Sequence, residues 1–184
     1  MGLFASPGGD GTDFIKLDAN GDLYVADWRN GFVRHISASG VVLGDLITGV
    51  VAGPEGIAFD ATGNLYVGNY LHFIIQQFSP SGIALGTFAT ANDPGSAYGL
   101  DFDADGNLYA ANFGVANIRK FSPAGDDLGI FASVGLVGPR DLVVIPSGGP
   151  ATKDECKHGG WQSFDFPRTF KNQGDCVQFV NTGK

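Results

Sequence analysis

Three copies of one segment recur along the chain: Asp18-Ala-Asn-Gly-Asp-Leu-Tyr24-Val-Ala-Asp27, Asp60-Ala-Thr-Gly-Asn-Leu-Tyr66-Val-Gly-Asn69 and Asp103-Ala-Asp-Gly-Asn-Leu-Tyr109-Ala-Ala-Asn112. Successive copies start 42 and 43 residues apart. A fixed period of this size marks a repeat architecture, in which each unit buries its faces on its neighbours. The second copy shows the unit most plainly. Gly56-Ile-Ala-Phe59 is a short apolar run, Asp60-Ala-Thr-Gly63 a turn, and Asn64-Leu-Tyr-Val67 a β-rich run. Phe73–Phe78, a Ser79-Pro-Ser-Gly82 turn and Ile83–Phe88 complete it. That makes four short strands and three turns per period, and no helical apolar period appears in residues 1–150.

Four antiparallel strands at this period are the blade of a β-propeller. The expected fold is all-β, an incomplete propeller of about three blades with a small C-terminal appendage. The blades are expected near 12–48, 54–90 and 97–133, with end strands at 2–6 and 140–145, in a region over 1–145. A Pro-Gly linker at 146–151 and a Cys-paired, helical module over 152–184 follow. Phe4-Ala5-Ser6 matches Phe88-Ala89-Thr90, and Pro139-Arg-Asp-Leu142 matches Pro54-Glu-Gly-Ile57, so each end carries a piece of a further blade. Closed propellers take roughly four to eight blades. Three describe an arc with two uncovered apolar faces. The expectation is a piece of a longer protein. Self-association of two chains through the open blade faces is the alternative.

Composition narrows the partners. Residues 1–150 carry 6 Lys+Arg against 15 Asp+Glu. Such an acidic region repels phosphate backbones, which argues against nucleic acid. No apolar run is long enough for a membrane helix, and no signal peptide is visible at the N-terminus. Both cysteines, Cys156 and Cys176, fall in the last 34 residues. A disulfide stapling a piece too small to hold itself is the expected state in an oxidising compartment, and two free thiols the alternative in a reducing one.

Candidate chemistry has to be weighed against scaffold. The Asp18, Asp60 and Asp103 loops look faintly like calcium loops, but calcium takes about six to eight oxygens and no distant Glu follows. They read as turns capped by the Asp side chain. Tyr24, Tyr66 and Tyr109 read as inter-blade packing. Ser37, Ser79 and Ser122 sit in Ser-x-x-Gly turns, and His35, His72 and His158 share no slot or metal spacing. Asp27, Asn69 and Asn112 end the second strand of each blade. They hold the adjoining turn or face a ligand at the channel mouth. No nucleophile elbow, P-loop or dinucleotide fingerprint is present.

Leu-Tyr-Val-Ala-Asp27-Trp-Arg-Asn30-Gly-Phe-Val-Arg34-His-Ile36 resembles the NHL repeat, with its apolar strand, Asp, spaced Asn, then Arg and an apolar residue. The third copy keeps Asn112, Asn117, Ile118 and Arg119, while the second departs at His72 and Gln76. The resemblance implies propeller blades; its known members range over binding scaffolds, and related propellers include lactonases and lyases. Related gluconolactonase-like propellers bind one divalent metal with Glu, Asn and Asp near the starts of the innermost strands. The corresponding slots here are Asp13, Glu55, Tyr98 and Arg140, of which two are not ligands of the required kind. The tail segments Lys153–Trp161 and Phe170–Val180 resemble a short module of bacterial exported proteins. That resemblance implies an extracellular or periplasmic setting and supports the disulfide.

The functional expectation is a non-catalytic binding or scaffold module with no cofactor. It would engage a protein or carbohydrate partner through rim or channel loops, at Asp13, Glu55, Tyr98, Arg140 and the Asp27, Asn69 and Asn112 positions. The alternative is a metal-dependent, lactonase-like hydrolase.

Overall fold

A computed structural model describes residues 11–49, 53–70, 72–91, 95–144 and Lys157. The chain divides into two compact units, 1–144 and 145–184. The linker, Cys156, Cys176, the tail expected to be helical and the end strand expected at 2–6 lie outside the described residues.

The first unit holds twelve strands and, among the described residues, no helix. β1 (Thr12–Leu17), β2 (Leu23–Asp27), β3 (Phe32–Ile36) and β4 (Val42–Thr48) form one antiparallel sheet. β5 (Pro54–Phe59), β6 (Leu65–Asn69), β7 (Ile74–Phe78) and β8 (Ala84–Thr90) form the second. β9 (Ala97–Phe102), β10 (Leu108–Asn112), β11 (Asn117–Phe121) and β12 (Asp127–Ala132) form the third. Strands pair in chain order in every sheet. The register repeats with the sequence: Ile15 faces Val25, Ile57 faces Val67 and Leu100 faces Ala110.

The sheets stack through two apolar seams. One gathers Tyr24, Val33, Ile57, Leu65, Val67 and Phe78. The other gathers Tyr66, Phe73, Ile75, Leu100, Leu108 and Phe121. Tyr24 meets Phe59 of the next sheet edge-on at 4.8 Å between centroids, and Tyr66 meets Phe102 at the same separation. Glycine permits the closest approach. A Cβ on Gly56 would stand 1.7 Å from the carbonyl oxygen of Tyr98, and one on Gly99 would stand 2.6 Å from the Cα of Asp141.

The second contact shows what residues 139–144 do. They form no strand, and among the described residues no second strand lies beside them to build a ladder. They nonetheless lie against β9, where the Val144 amide donates to Asp101 Oδ2 at 2.8 Å. On the opposite side of the stack, Ile15 of β1 is 66% exposed, whereas its counterparts Ile57 and Leu100 are 4% and 2% exposed. The same slot is core in two sheets and surface in the first.

Candidate functional site

The repeated aspartates hold turns. Asp18 Oδ1 accepts from the amides of Asn20 and Asp22, each at 2.9 Å. Asp60 Oδ1 accepts from the amides of Thr62 and Asn64, and Asp103 Oδ1 from those of Asp105 and Asn107. The Tyr66 and Tyr109 hydroxyls add bonds to Asp60 and Asp103. Burial works to raise the Asp60 carboxyl, but the side chains and amides of Thr62 and Asn64 outweigh it and hold it below its ordinary value. Crevices of about 320 and 350 Å³ lie between neighbouring turns. The carboxylates lining them are already bonded to their own loops, so these hollows offer a ligand little unspent polarity.

The strand-2 ends differ from copy to copy. Asp27 is fully buried, and its carboxylate accepts from the Asn30 amide and Asn30 Nδ2, both at 2.9 Å. Asp27 therefore holds its turn. Asn112 fills the same slot and is equally buried, yet neither side-chain polar atom has a partner among the described residues. The cause lies in the turn. Asn30 is replaced by Val115 and Gly31 by Ala116, which is forced to a φ of 53° where Gly31 has 71°. Asn69 is buried at the end of β6.

The strand-1 starts form the third set. Pairing there is irregular in all three sheets: register shifts fall between Thr12 and Phe14, between Pro54 and Ile57, and between Ala110 and Asn112 opposite β9. Asp13, Glu55 and Tyr98 sit within these irregularities. A bulge is a device for re-aiming a side chain away from the pleat. Asp13 and Arg140 act electrostatically on Glu55, and Tyr98 weakly favours its charged form. The four predicted slots therefore come together. Asp13 and Arg140 are exposed, while Tyr98 and Glu55 are buried.

Glu55 is the anomaly of the molecule. It is 1% exposed, and its Oε2 has no hydrogen-bond partner among the described residues. Burial first, and the negative charge of Asp13 second, push its carboxyl up to about 7, against the opposing pull of Arg140 and Tyr98. A buried carboxylate with an unspent oxygen is costly unless something supplies a donor.

Around this cluster runs an arc of rings. Trp28 and Tyr70 lie 5.6 Å apart, Tyr70 and Tyr98 6.2 Å, and Tyr98 and Phe113 5.3 Å. The Arg140 guanidinium stands 4.4 Å from the Phe113 ring centre and 5.2 Å from that of Tyr98. The amides of Trp28 and Tyr70 donate to the carbonyls of Gly11 and Gly53, which tie each ring to the start of strand 1. Sequence reasoning missed Trp28, Tyr70 and Phe113. Their signal was present, since each follows the Asp27, Asn69 or Asn112 slot and they share its 42- and 43-residue period.

No protein-family model matches the sequence, and a search of curated proteins finds no match. Solved structures do match. A protein assigned as a gluconolactonase superposes with a TM-score of 0.61 at 21% identity, over 75% of this chain and 52% of that one. Virginiamycin B lyase from Staphylococcus aureus gives 0.59 at 17%, over 76% and 49%. A chain of the nidogen/laminin complex gives 0.64 at 21%, over 71% and 51%. This chain is a partial β-propeller. Its neighbours carry unrelated activities, so the likeness shows the fold alone. The propeller here spans about half the length of each of those chains.

A divalent ion fits this site poorly. Among the described residues no three His, Cys, Asp or Glu side chains come together to hold a metal. Asp13 and Glu55 supply two carboxylates, but the next two slots are a phenol and a guanidinium whose fixed positive charge opposes a dication.

Proposed function

We propose that this chain is the binding part of an exported bacterial propeller, non-catalytic, with NHL-like blades that engage a protein or carbohydrate partner at the channel mouth. The observation that carries this reading is Glu55: a buried, unpartnered carboxylate oxygen set in a strand bulge beside Arg140 and a run of rings. A polar group left in that state in a well-packed fold is a contact waiting for a ligand donor. Support for NHL-like blades comes from Asp27 and Asn30, whose mutual bonds give the repeat's spaced Asp and Asn a common task. Support for export comes from the tail sequence around Cys156 and Cys176. A lactonase-like reaction through a bound metal is disfavoured by Arg140, which stands in one of the slots where such propellers place a ligand.

The test is binding of the full chain to arrays of glycans and of peptides, compared with Tyr70→Ala, Glu55→Gln and Asp60→Asn. The reading predicts that the first two lose the captured features and that Asp60→Asn keeps them. Features that survive both channel-mouth substitutions would overturn it.

A further inference from the structure

We propose that the arc of Trp28, Tyr70, Tyr98 and Phe113, together with Glu55 and Arg140, binds the pyranose rings of a neutral oligosaccharide. The proposal rests on the channel-mouth reading above and commits it to one class of ligand.

A pyranose has two kinds of surface. Its ring faces present C–H groups and stack on aromatic faces, while its rim carries hydroxyls that both donate and accept. The site has a counterpart for each. Tyr70 and Phe113 are 39% and 38% exposed, so their rings are open to contact, and Trp28 stands beside Tyr70. The rings come from three different sheets, which gives successive platforms for successive sugars. Glu55 Oε2 is a buried acceptor without a donor among the described residues, a part that a sugar hydroxyl fills once the side chains over it shift aside. Arg140 offers guanidinium N–H donors and has no acceptor of its own. Its place over the Tyr98 and Phe113 rings restricts it before a ligand arrives.

Charge selects within the class. Asp13 and Glu55 oppose Arg140, and Arg29 lies over the Trp28 ring at 5.4 Å. Asp27 and Asp141 add further negative charge next to Trp28 and Arg140, so the mouth disfavours a polyanion or a strongly acidic peptide. An uncharged, hydroxyl-rich polymer can satisfy donors and acceptors alike. Rings already packed against one another, tilted or edge-on, also lose little freedom on binding.

The test titrates the full chain, in a Trp161→Phe background so that Trp28 alone reports, with cello-, manno-, xylo-, malto- and chitin-derived hexasaccharides. Trp28 fluorescence and calorimetry are both followed. At least one hexasaccharide is expected to bind saturably in the millimolar range or tighter. Tyr70→Ala and Glu55→Gln should each weaken it by about tenfold or more, and Asp60→Asn should leave it unchanged. If no hexasaccharide binds but array peptides bind in a manner lost in Tyr70→Ala and Glu55→Gln, the sugar assignment fails and the channel-mouth reading stands. If a hexasaccharide binds equally well to both variants, it binds elsewhere and both proposals fail. If neither sugars nor peptides bind, both fail as well.

Discussion

Two regions of the molecule use carboxylates in opposite ways. At the rim, Asp18, Asp60 and Asp103 recur in every copy, and their oxygens are taken up by their own loops. At the strand-1 starts, the corresponding positions hold Asp13, Glu55, Tyr98 and Arg140, four residues of three chemical kinds, and one of them keeps an unspent buried oxygen. Repetition at the rim reports a shared structural need, because every blade needs the same turn. Variation at the strand starts reports a need no single blade has. The lesson is that the slots identical in every copy hold the turns, and the candidate site draws on slots whose identity varies: Asp13, Glu55, Tyr98 and Arg140 at the strand starts, and Trp28, Tyr70 and Phe113 after strand 2.

The largest expected effect probes the rim. Asp60→Ala strands the Thr62 and Asn64 amides together with the Tyr66 hydroxyl, and should lower stability by about 3 kcal/mol near pH 7. Because the folded-state pKa of Asp60 is depressed, its contribution is present above the unfolded carboxylate range and fades as pH falls. The wild-type and variant unfolding midpoints should therefore converge in acid. Equal destabilisation at pH 3 and pH 7 would break the assignment of that carboxylate to the turn.

Glu55 should behave in the opposite sense. Its folded pKa of about 7 lies above the ordinary 4.5, so the native state holds the extra proton between those values. Stability is then present at low pH and is lost as pH rises through about 7. Glu55→Gln removes the charge and should raise stability at pH 8 by on the order of 1–2 kcal/mol, with little change at pH 4. A variant less stable than wild type at pH 8 would show that Glu55 serves the fold.

A smaller contrast lies between Asp27 and Asn112. Replacing the unpartnered Asn112 by the similarly sized Leu should be neutral or stabilising by about 1 kcal/mol, whereas Asp27→Leu should destabilise. The smallest effect is Ala116→Gly, which relieves a positive φ and should add about 0.5–1 kcal/mol by denaturant unfolding.

Much of the scaffold was legible in the sequence. The period gave the blades, Gly63 and its counterparts gave the turns, and the apolar and aromatic run Leu65-Tyr66-Val67 pointed to a strand covered on both faces, as β6 is. The slots of Asp13, Glu55, Tyr98 and Arg140 were also legible, by counting back from the repeated motif. Their convergence was not, since it depends on bulges at the strand starts and on the approach of Arg140 from residues 139–144. The ring arc was hidden for another reason. Trp28, Tyr70 and Phe113 share a class without sharing an identity, and matching by letter passes over them. The missing partner of Glu55 Oε2 is a property of packing, which no local pattern encodes.

The contrast between rim and mouth is tested most directly by one paired measurement: thermal unfolding and hexasaccharide titration of Asp60→Asn and Glu55→Gln, side by side at pH 8 and below either transition. Asp60→Asn should unfold earlier than wild type and bind as wild type does. Glu55→Gln should unfold no earlier than wild type and bind at least about tenfold more weakly. The reverse pattern, with binding lost at Asp60 and stability lost at Glu55, would contradict the account.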